Sequence, residues 1–435
     1  MRYLLNFIYG LLIVAASPLL VYRAIAQKKY RQGWGQKLLG LAPRQTGEDP
    51  CVWFHAVSVG EVNLLAPLLN EIARRRPNWR CVVSTTTATG FALAKKKYPS
   101  LTVFYCPLDF SWAVQAAMLR ICPTCLVLTE LELWPNLIAA ARRHGARVAV
   151  INGRLSEQSY RGYRRVRQLV KSALGQLDLI AAQNQEYADR FLALGAPASR
   201  VYVTGSLKFD GAQTDRANAA TLRMRQLAGI ADDDLVFLAG STQSGEETAA
   251  LAAYRALAEK HPRLRLILVP RHPERFDAVA DELDRTGLPW QRRSRLGAED
   301  ADRGARVLLV DTIGELGAWW GASDVAFVGG SLSSRGGQNM IEPAAYGAAV
   351  CFGPNTRNFR DVVTMLLDHQ AAVVVHDADE LTAFVGRCLA DHEFAELLGR
   401  HARLLVASQL GATRRTFELL DPLIAPMPVA PARAA

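Results

Sequence analysis

Cysteine is scarce in this chain and carries no pattern. Of its seven cysteines (Cys51, Cys81, Cys106, Cys122, Cys125, Cys351 and Cys388) only Cys122 and Cys125 form a C-x-x-C pair. No second pair or histidine cluster completes a zinc site, so reduced, mostly buried thiols of a cytosolic compartment are expected, with no metal site and no cofactor. Phosphate-binding signatures of the commonest kinds are missing too. No Walker motif occurs, and no G-x-G-x-x-G follows the first strand, which excludes a P-loop NTPase and a classical dinucleotide enzyme. Low hydrophobicity is absent as well. At 435 residues and 50% hydrophobic side chains, the chain has the means to fill two cores.

What is present begins with charge. The formal net charge of +10 calls for an acidic partner: nucleic acid, anionic lipid or a phosphorylated substrate. The first residues choose among these. From Tyr3 to Tyr22 the chain is nearly all apolar, about 20 residues, the length that spans a hydrocarbon core. No small-x-small cleavage site separates it from Tyr22 and Arg23, so residues 1–25 are expected to be an uncleaved transmembrane anchor. Arg23, Lys28, Lys29, Arg31 and Lys37 follow the span and only Arg2 precedes it, which puts the body of the protein in the cytoplasm. The basic flank then rests against anionic headgroups, and lipid rather than nucleic acid accounts for the charge.

Beyond the anchor, short apolar runs alternate with helical stretches: residues 52–56, 81–84, 103–105, 125–128, 148–151, 179–182 and 201–203. After a polar helix at 215–229 the rhythm restarts at 235–239, 264–269, 307–310, 325–328 and 349–352. This α/β periodicity predicts two doubly wound parallel sheets, in domains 26–212 and 213–424, followed by a disordered Pro/Ala-rich tail at 425–435. In such sheets ligands bind beyond the carboxyl ends of the strands, so the turns there are the places to search.

One turn stands out. Gly329-Gly330-Ser331 through Gly336-Gly337 leads into a short helix carrying Asn339 and Glu342, a loop whose backbone amides suit a phosphate while the carboxylate suits vicinal hydroxyls. Glu342 equally complements a helix dipole. Gly240-Ser241-Thr242 and Arg271 with His272 offer amides, hydroxyls and a guanidinium fork to the same phosphate, and Thr312-Ile313-Gly314 ends another strand of that half. In the first half, Glu61 follows Ser58 and Gly60 in a turn beyond the first strand, placed either as a general base or as a first-turn helix acid. Glu130 and Glu132 follow another strand, one to bind hydroxyls and the other to cap the helix that Pro135 opens. Arg154 and Lys208 end two more. The run Arg154–Lys171 holds Arg161, Arg164, Arg165 and Arg167 against a single acid, Glu157, and reads either as a lipid-phosphate contact or as a solvated helix face.

Together these turns resemble the family of 3-deoxy-D-manno-octulosonic acid (Kdo) transferases, glycosyltransferase family 30, the bacterial inner-membrane enzymes that move Kdo from CMP-Kdo onto a lipid A precursor. The likeness lies in His-Ala-Val-Ser-Val-Gly-Glu (55–61), Glu-Leu-Trp-Pro-Asn (132–136), Gly-Ser-Leu-Lys-Phe-Asp (205–210), Gly-Glu-Glu (245–247), Pro-Arg-His-Pro-Glu-Arg (270–275) and the Gly-Gly-x-Asn-x-x-Glu-Pro segment ending at Pro343. The resemblance implies a GT-B fold of two Rossmann-like domains and an inverting transfer to lipid IVA in lipopolysaccharide core synthesis. It implies Glu61 as catalytic base and Glu130 on the acceptor side, where Glu132, Arg154 and Lys208 are further candidates. On the donor side it implies Arg271, Asn339 and Glu342, beside the candidates Ser241, Thr242, His272, Thr312, Ile313, Gly314 and Gly330 that the turns themselves offer. It also implies a single-pass inner-membrane protein whose catalytic domains face the cytoplasm.

The chain departs from the family pattern at Gln243 and Gln338, where histidine is usual, and at Ile313, where methionine is usual. Glutamine replaces one hydrogen bond of a neutral histidine but carries no proton. Two alternatives follow: a catalytically impaired relative that still binds CMP-sugar or lipid, and a sugar-nucleotide epimerase of the same architecture.

Overall fold

The computed structural model of the chain describes residues 2–26, 32–131, 133–296 and 304–424. Glu132 and the tail 425–435, both singled out from the sequence, lie outside them, as do Lys28, Lys29 and Arg31. The chain divides into two compact units, Met1–Asp210 with Leu410–Ala435, and Gly211–Gln409.

The first unit holds seven strands: β1 Cys51–His55, β2 Arg80–Thr85, β3 Thr102–Tyr105, β4 Cys125–Thr129, β5 Arg147–Gly153, β6 Leu179–Ala182 and β7 Val201–Val203. They form one sheet in the order β3-β2-β1-β4-β5-β6-β7, parallel throughout. The central strands β1 and β4 are buried at every position because helices cover both faces. Along β1 the two-residue period sends Cys51 and Trp53 into one core layer and Val52 and Phe54 into the other.

The second unit repeats the plan with β8 Leu235–Thr242, β9 Leu264–Pro270, β10 Trp290–Arg292, β11 Val307–Leu309, β12 Val325–Val328, β13 Ala349–Phe352 and β14 Val373–Val374. Its order is β10-β11-β9-β8-β12-β13-β14, again parallel. β10 and β14 are not predicted from the sequence: they are half-buried edge strands of two or three residues, β10 without an apolar run and β14 in the short run 371–375. In both sheets the strand order reverses beside the first strand, the switch point where open α/β sheets bind ligands.

The last helix, Ala412–Ile424, belongs to the first unit, not to the second domain in which the sequence periodicity puts it. Asp210 accepts from the amides of Gly411 and Thr413. Phe417 stacks on Trp79 at 6.2 Å, and Asp421 takes a two-pronged ion pair from Arg76 at 2.6 and 2.8 Å.

The expected transmembrane span is not supported. Residues Arg2–Ala26 are helical, but among the described residues no helix is long and apolar enough to cross a membrane. Asn6 and Tyr9 bond the body of the first unit, and Pro18 lies inside the helix. The apolar residues Tyr3, Phe7, Leu11 and Val14 are instead 62–71% exposed. Their spacing of four, four and three residues sets them on one helix face.

Candidate functional site

In the first unit the chemistry gathers where β1 and β4 end. Glu61 sits in the first turn of the helix Val59–Arg75, whose N-cap is Ser58. Its carboxylate is 7% exposed and takes three hydrogen bonds: from the amide of Val57 at 2.9 Å, the hydroxyl of Ser58 at 2.8 Å and the hydroxyl of Thr129 at 2.7 Å. The S-x-x-E spacing makes this a variant capping box, with the glutamate reaching the amide one residue before the cap.

Thr129 has a second partner, the carbonyl of His55 at 2.8 Å. One hydroxyl carries one proton. With Glu61 ionised, Thr129 donates to the carboxylate; with Glu61 protonated, Thr129 accepts from it and turns its own proton to the His55 carbonyl. The geometry serves both states without moving a heavy atom.

Glu130 follows directly, in left-handed backbone at φ 56°, its amide donating to the Ile151 carbonyl at 2.9 Å. Lys208 comes within 3.8 Å of its carboxylate. Asn152, also left-handed at φ 52°, fixes this approach by accepting from the amide of Leu207 at 3.0 Å. Glu61, Glu130 and Lys208 are thus gathered at one sheet edge, with Arg154, half-buried, at the end of β5. The basic helix Glu157–Arg165 has no buried residue, and Arg161 pairs with Glu157 at 2.8 Å. His55 lies wholly buried beneath Glu61. Its Nδ1 meets Ser84 Oγ at 2.9 Å, its Nε2 has no hydrogen-bond partner among the described residues, and burial pushes its pKa down to about 4.

In the second unit the ends of β8, β9 and β12 carry the comparable edge. Asn339 donates to Glu342 at 2.8 Å and accepts from the amide of Ile341 at 3.1 Å. Burial raises the pKa of Glu342, opposed by the Asn339 hydrogen bond and by the positive charge of Arg271, an exposed residue after β9. Ser241 is buried in left-handed backbone at φ 56°.

The glycine loop is used differently from the sequence expectation. The amides of Gly330, Ser331 and Leu332 donate at 2.7, 3.0 and 2.9 Å to the buried carboxylate of Glu246, which also accepts from the amide of Gln243 at 2.8 Å. The amide of Gly330, read as a phosphate contact, is already committed. Gly329 has to be glycine, because a Cβ there would come within 2.6 Å of the Ser241 carbonyl oxygen. The Thr242 hydroxyl is committed as well, to Glu247 at 2.7 Å, and Arg275 grips the same carboxylate at 2.6 and 3.0 Å. Thr312 donates to Glu315 at 2.7 Å, and Ile313 is 78% exposed. His272 is exposed.

The residues missed from the sequence are Thr129, Glu246, Glu247 and Arg275. Three of them stand in motifs noted for other reasons, Gly-Glu-Glu and Pro-Arg-His-Pro-Glu-Arg. Only the folded sheet shows that their partners lie 28 to 86 residues away.

A sequence profile described as "3-Deoxy-D-manno-octulosonic-acid transferase (kdotransferase)" matches residues 32–211. The 3-deoxy-D-manno-octulosonic acid transferase of Haemophilus influenzae is 32% identical across 96% of this chain and 99% of its own. That of Bordetella pertussis is 37% identical across 85% and 86%. Among solved structures, UDP-GlcNAc 2-epimerase from Neisseria meningitidis bound to UDP-GlcNAc superposes with a TM-score of 0.54, covering 86% of this chain and all of that one at 14% identity. At that identity it shares the fold, the pair of parallel-sheet domains of GT-B glycosyltransferases, and nothing finer. This chain belongs to the 3-deoxy-D-manno-octulosonic acid transferase family and is a glycosyltransferase that transfers Kdo in lipopolysaccharide core synthesis.

Proposed function

We propose that the chain moves Kdo, with inversion, from CMP-Kdo to a primary hydroxyl of the lipid A precursor lipid IVA, with Glu61 as general base. The observation that carries this is the triple hydrogen bonding of Glu61 by Val57, Ser58 and Thr129, which aims a carboxylate and accommodates it both with and without a proton. The acceptor hydroxyl gives its proton to Glu61 as its oxygen bonds to C2 of Kdo. The bond from C2 to the phosphate oxygen breaks through an oxocarbenium-like state, and CMP leaves with the electron pair. Glu130, Glu132, Arg154 and Lys208 bind the acceptor.

Arg271 offsets the charge on the departing phosphate. Glu342, oriented by Asn339, accepts from the hydroxyls of the ribose. Ser241 and the turns at His272 and Thr312–Gly314 complete the donor side. The committed amides at 330–332 act by holding the loop that leads to Asn339 and Glu342, while the Thr242 hydroxyl joins Arg275 in holding Glu247. The exposed apolar face of the N-terminal helix rests on the surface of a bacterial inner membrane containing anionic lipid, where the acceptor presents its sugar.

Replacing Glu61 by Gln tests the base. Loss of a general base lowers kcat by about 10²- to 10⁴-fold, while CMP affinity, measured by calorimetry, stays within about twofold of wild type. Turnover near the wild-type rate removes Glu61 from this role.

A further inference from the structure

Among the described residues of the helix Arg2–Ala26, Asn6 and Tyr9 bond the rest of the first unit at the start of other helices. Ser111–Ile121 begins after Phe110, which has no side chain to cap it. Asn6 caps it from outside: its Oδ1 accepts from the amide of Ser111 at 2.9 Å and its Nδ2 donates to the Ser111 hydroxyl at 2.7 Å. Pro135–Arg143 begins after Trp134, equally without a side-chain cap. Here Asp109 supplies the acceptors, taking the amide of Asn136 at 3.0 Å and that of Leu137 at 2.8 Å, while Asn136 Nδ2 donates to the Asp109 carbonyl at 2.6 Å. Tyr9 donates its hydroxyl to Asp109 at 3.2 Å, and Asn136 Nδ2 reaches Asn6 Oδ1 at 3.4 Å. Asp109 and Asn136 are almost fully buried, 3% and 4% exposed. Free amides at a helix start need such acceptors, and here they come from one helix outside the sheet and one loop that it orients.

The helix start held in this way is where the acceptor-side loop ends. Thr129, which bonds Glu61, and Glu130, which faces Lys208, stand at the front of that loop, and Trp134-Pro135-Asn136 closes it. We infer that Asn6 and Tyr9 of the N-terminal helix are positioning residues for acceptor binding, acting through Asp109 and Asn136 on the loop that carries Glu130. Sequence spacing does not reveal this link, because the two ends of the network are 100 to 130 residues apart. The inference rests on the reading of Glu130 as an acceptor-binding residue.

The test is steady-state kinetics on the full chain with CMP-Kdo and a tetra-acylated lipid A precursor as probe acceptor, alongside thermal unfolding. Tyr9→Phe and Asn6→Ala are each expected to raise KM for the acceptor about fivefold. Because the lost interaction acts equally in ground and transition states, kcat and the donor KM stay within about twofold. Tyr9→Phe added to Glu130→Gln gives little further loss, since both act on one loop. An unchanged acceptor KM overturns the inference. So does a parallel fall in donor and acceptor parameters that tracks the melting temperature, which is the mark of general destabilisation. If Glu130→Gln leaves the acceptor KM unaltered while Tyr9→Phe still raises it, the role of Glu130 fails and the positioning role stands.

Discussion

A buried histidine beneath a candidate base is a titratable group that folding holds neutral, and His55 has a measurable signature for that reason. Its folded pKa, about 4, lies below the ordinary histidine value of about 6.5. Between these values the unfolded chain binds a proton that the folded chain does not, so stability falls as pH drops from 6.5 toward 4. The loss is up to about 1.4 kcal/mol per pH unit from this group. Asp109, pushed up to about 6 by burial, works in the opposite direction below that pH. It is present in both proteins when wild type is compared with His55→Gln, so it cancels. The difference in unfolding free energy between wild type and variant is therefore expected to shrink steadily from pH 6.5 to 4, followed by denaturant titration. Parallel curves across that range contradict the assignment. At this scale the sequence is informative about Glu61, Glu342 and Arg271, because each stands in a turn after an apolar strand. It is silent about Thr129 and Glu246. Their roles come from hydrogen bonds across the sheet edge, and a threonine ending a strand or a glutamate opening a helix has no local mark of a distant partner.

Among the elements, the N-terminal helix is where expectation and structure part most. Hydropathy along residues 3–22 measures apolar content but not its direction. Asn6 and Tyr9 point to the first unit, and Tyr3, Phe7, Leu11 and Val14 point away from it. A helix with one docked face and one exposed apolar face suits the plane of a membrane interface, where affinity scales with the apolar area inserted. Placing a charge on that face opposes insertion, so Phe7→Asp with Leu11→Asp is expected to reduce co-sedimentation with anionic phospholipid vesicles by at least about tenfold. Retained binding would assign the membrane contact to another surface. The strands were legible for the opposite reason. Central parallel strands are buried on both faces, so β1, β4, β8, β9 and β12 read as continuous apolar runs whatever their partners. The edge strand β10 carries no such run, and β14 pairs over two residues of the short run 371–375. The glycine loop shows a third case: its position after β12 was legible, while the commitment of its amides to Glu246 depends on a helix 84 residues earlier.

At the scale of the whole molecule, two similar α/β units follow from a strand and helix rhythm that starts twice. The return of Ala412–Ile424 to the first unit does not follow from that rhythm, since a helix sequence does not say which sheet it covers. It is fixed by the Phe417 stack on Trp79 and by the Asp210 cap at Gly411 and Thr413. The same scale carries the central proposal, that the chain transfers Kdo from CMP-Kdo to a lipid A precursor. Its most direct test is to incubate the purified full-length chain with CMP-Kdo and tetra-acylated lipid A precursor and to weigh the lipid product by mass spectrometry. The account predicts a lipid heavier by one or more Kdo residues, with one CMP released for each. A folded protein that binds CMP but leaves the mass of the lipid unchanged would contradict it.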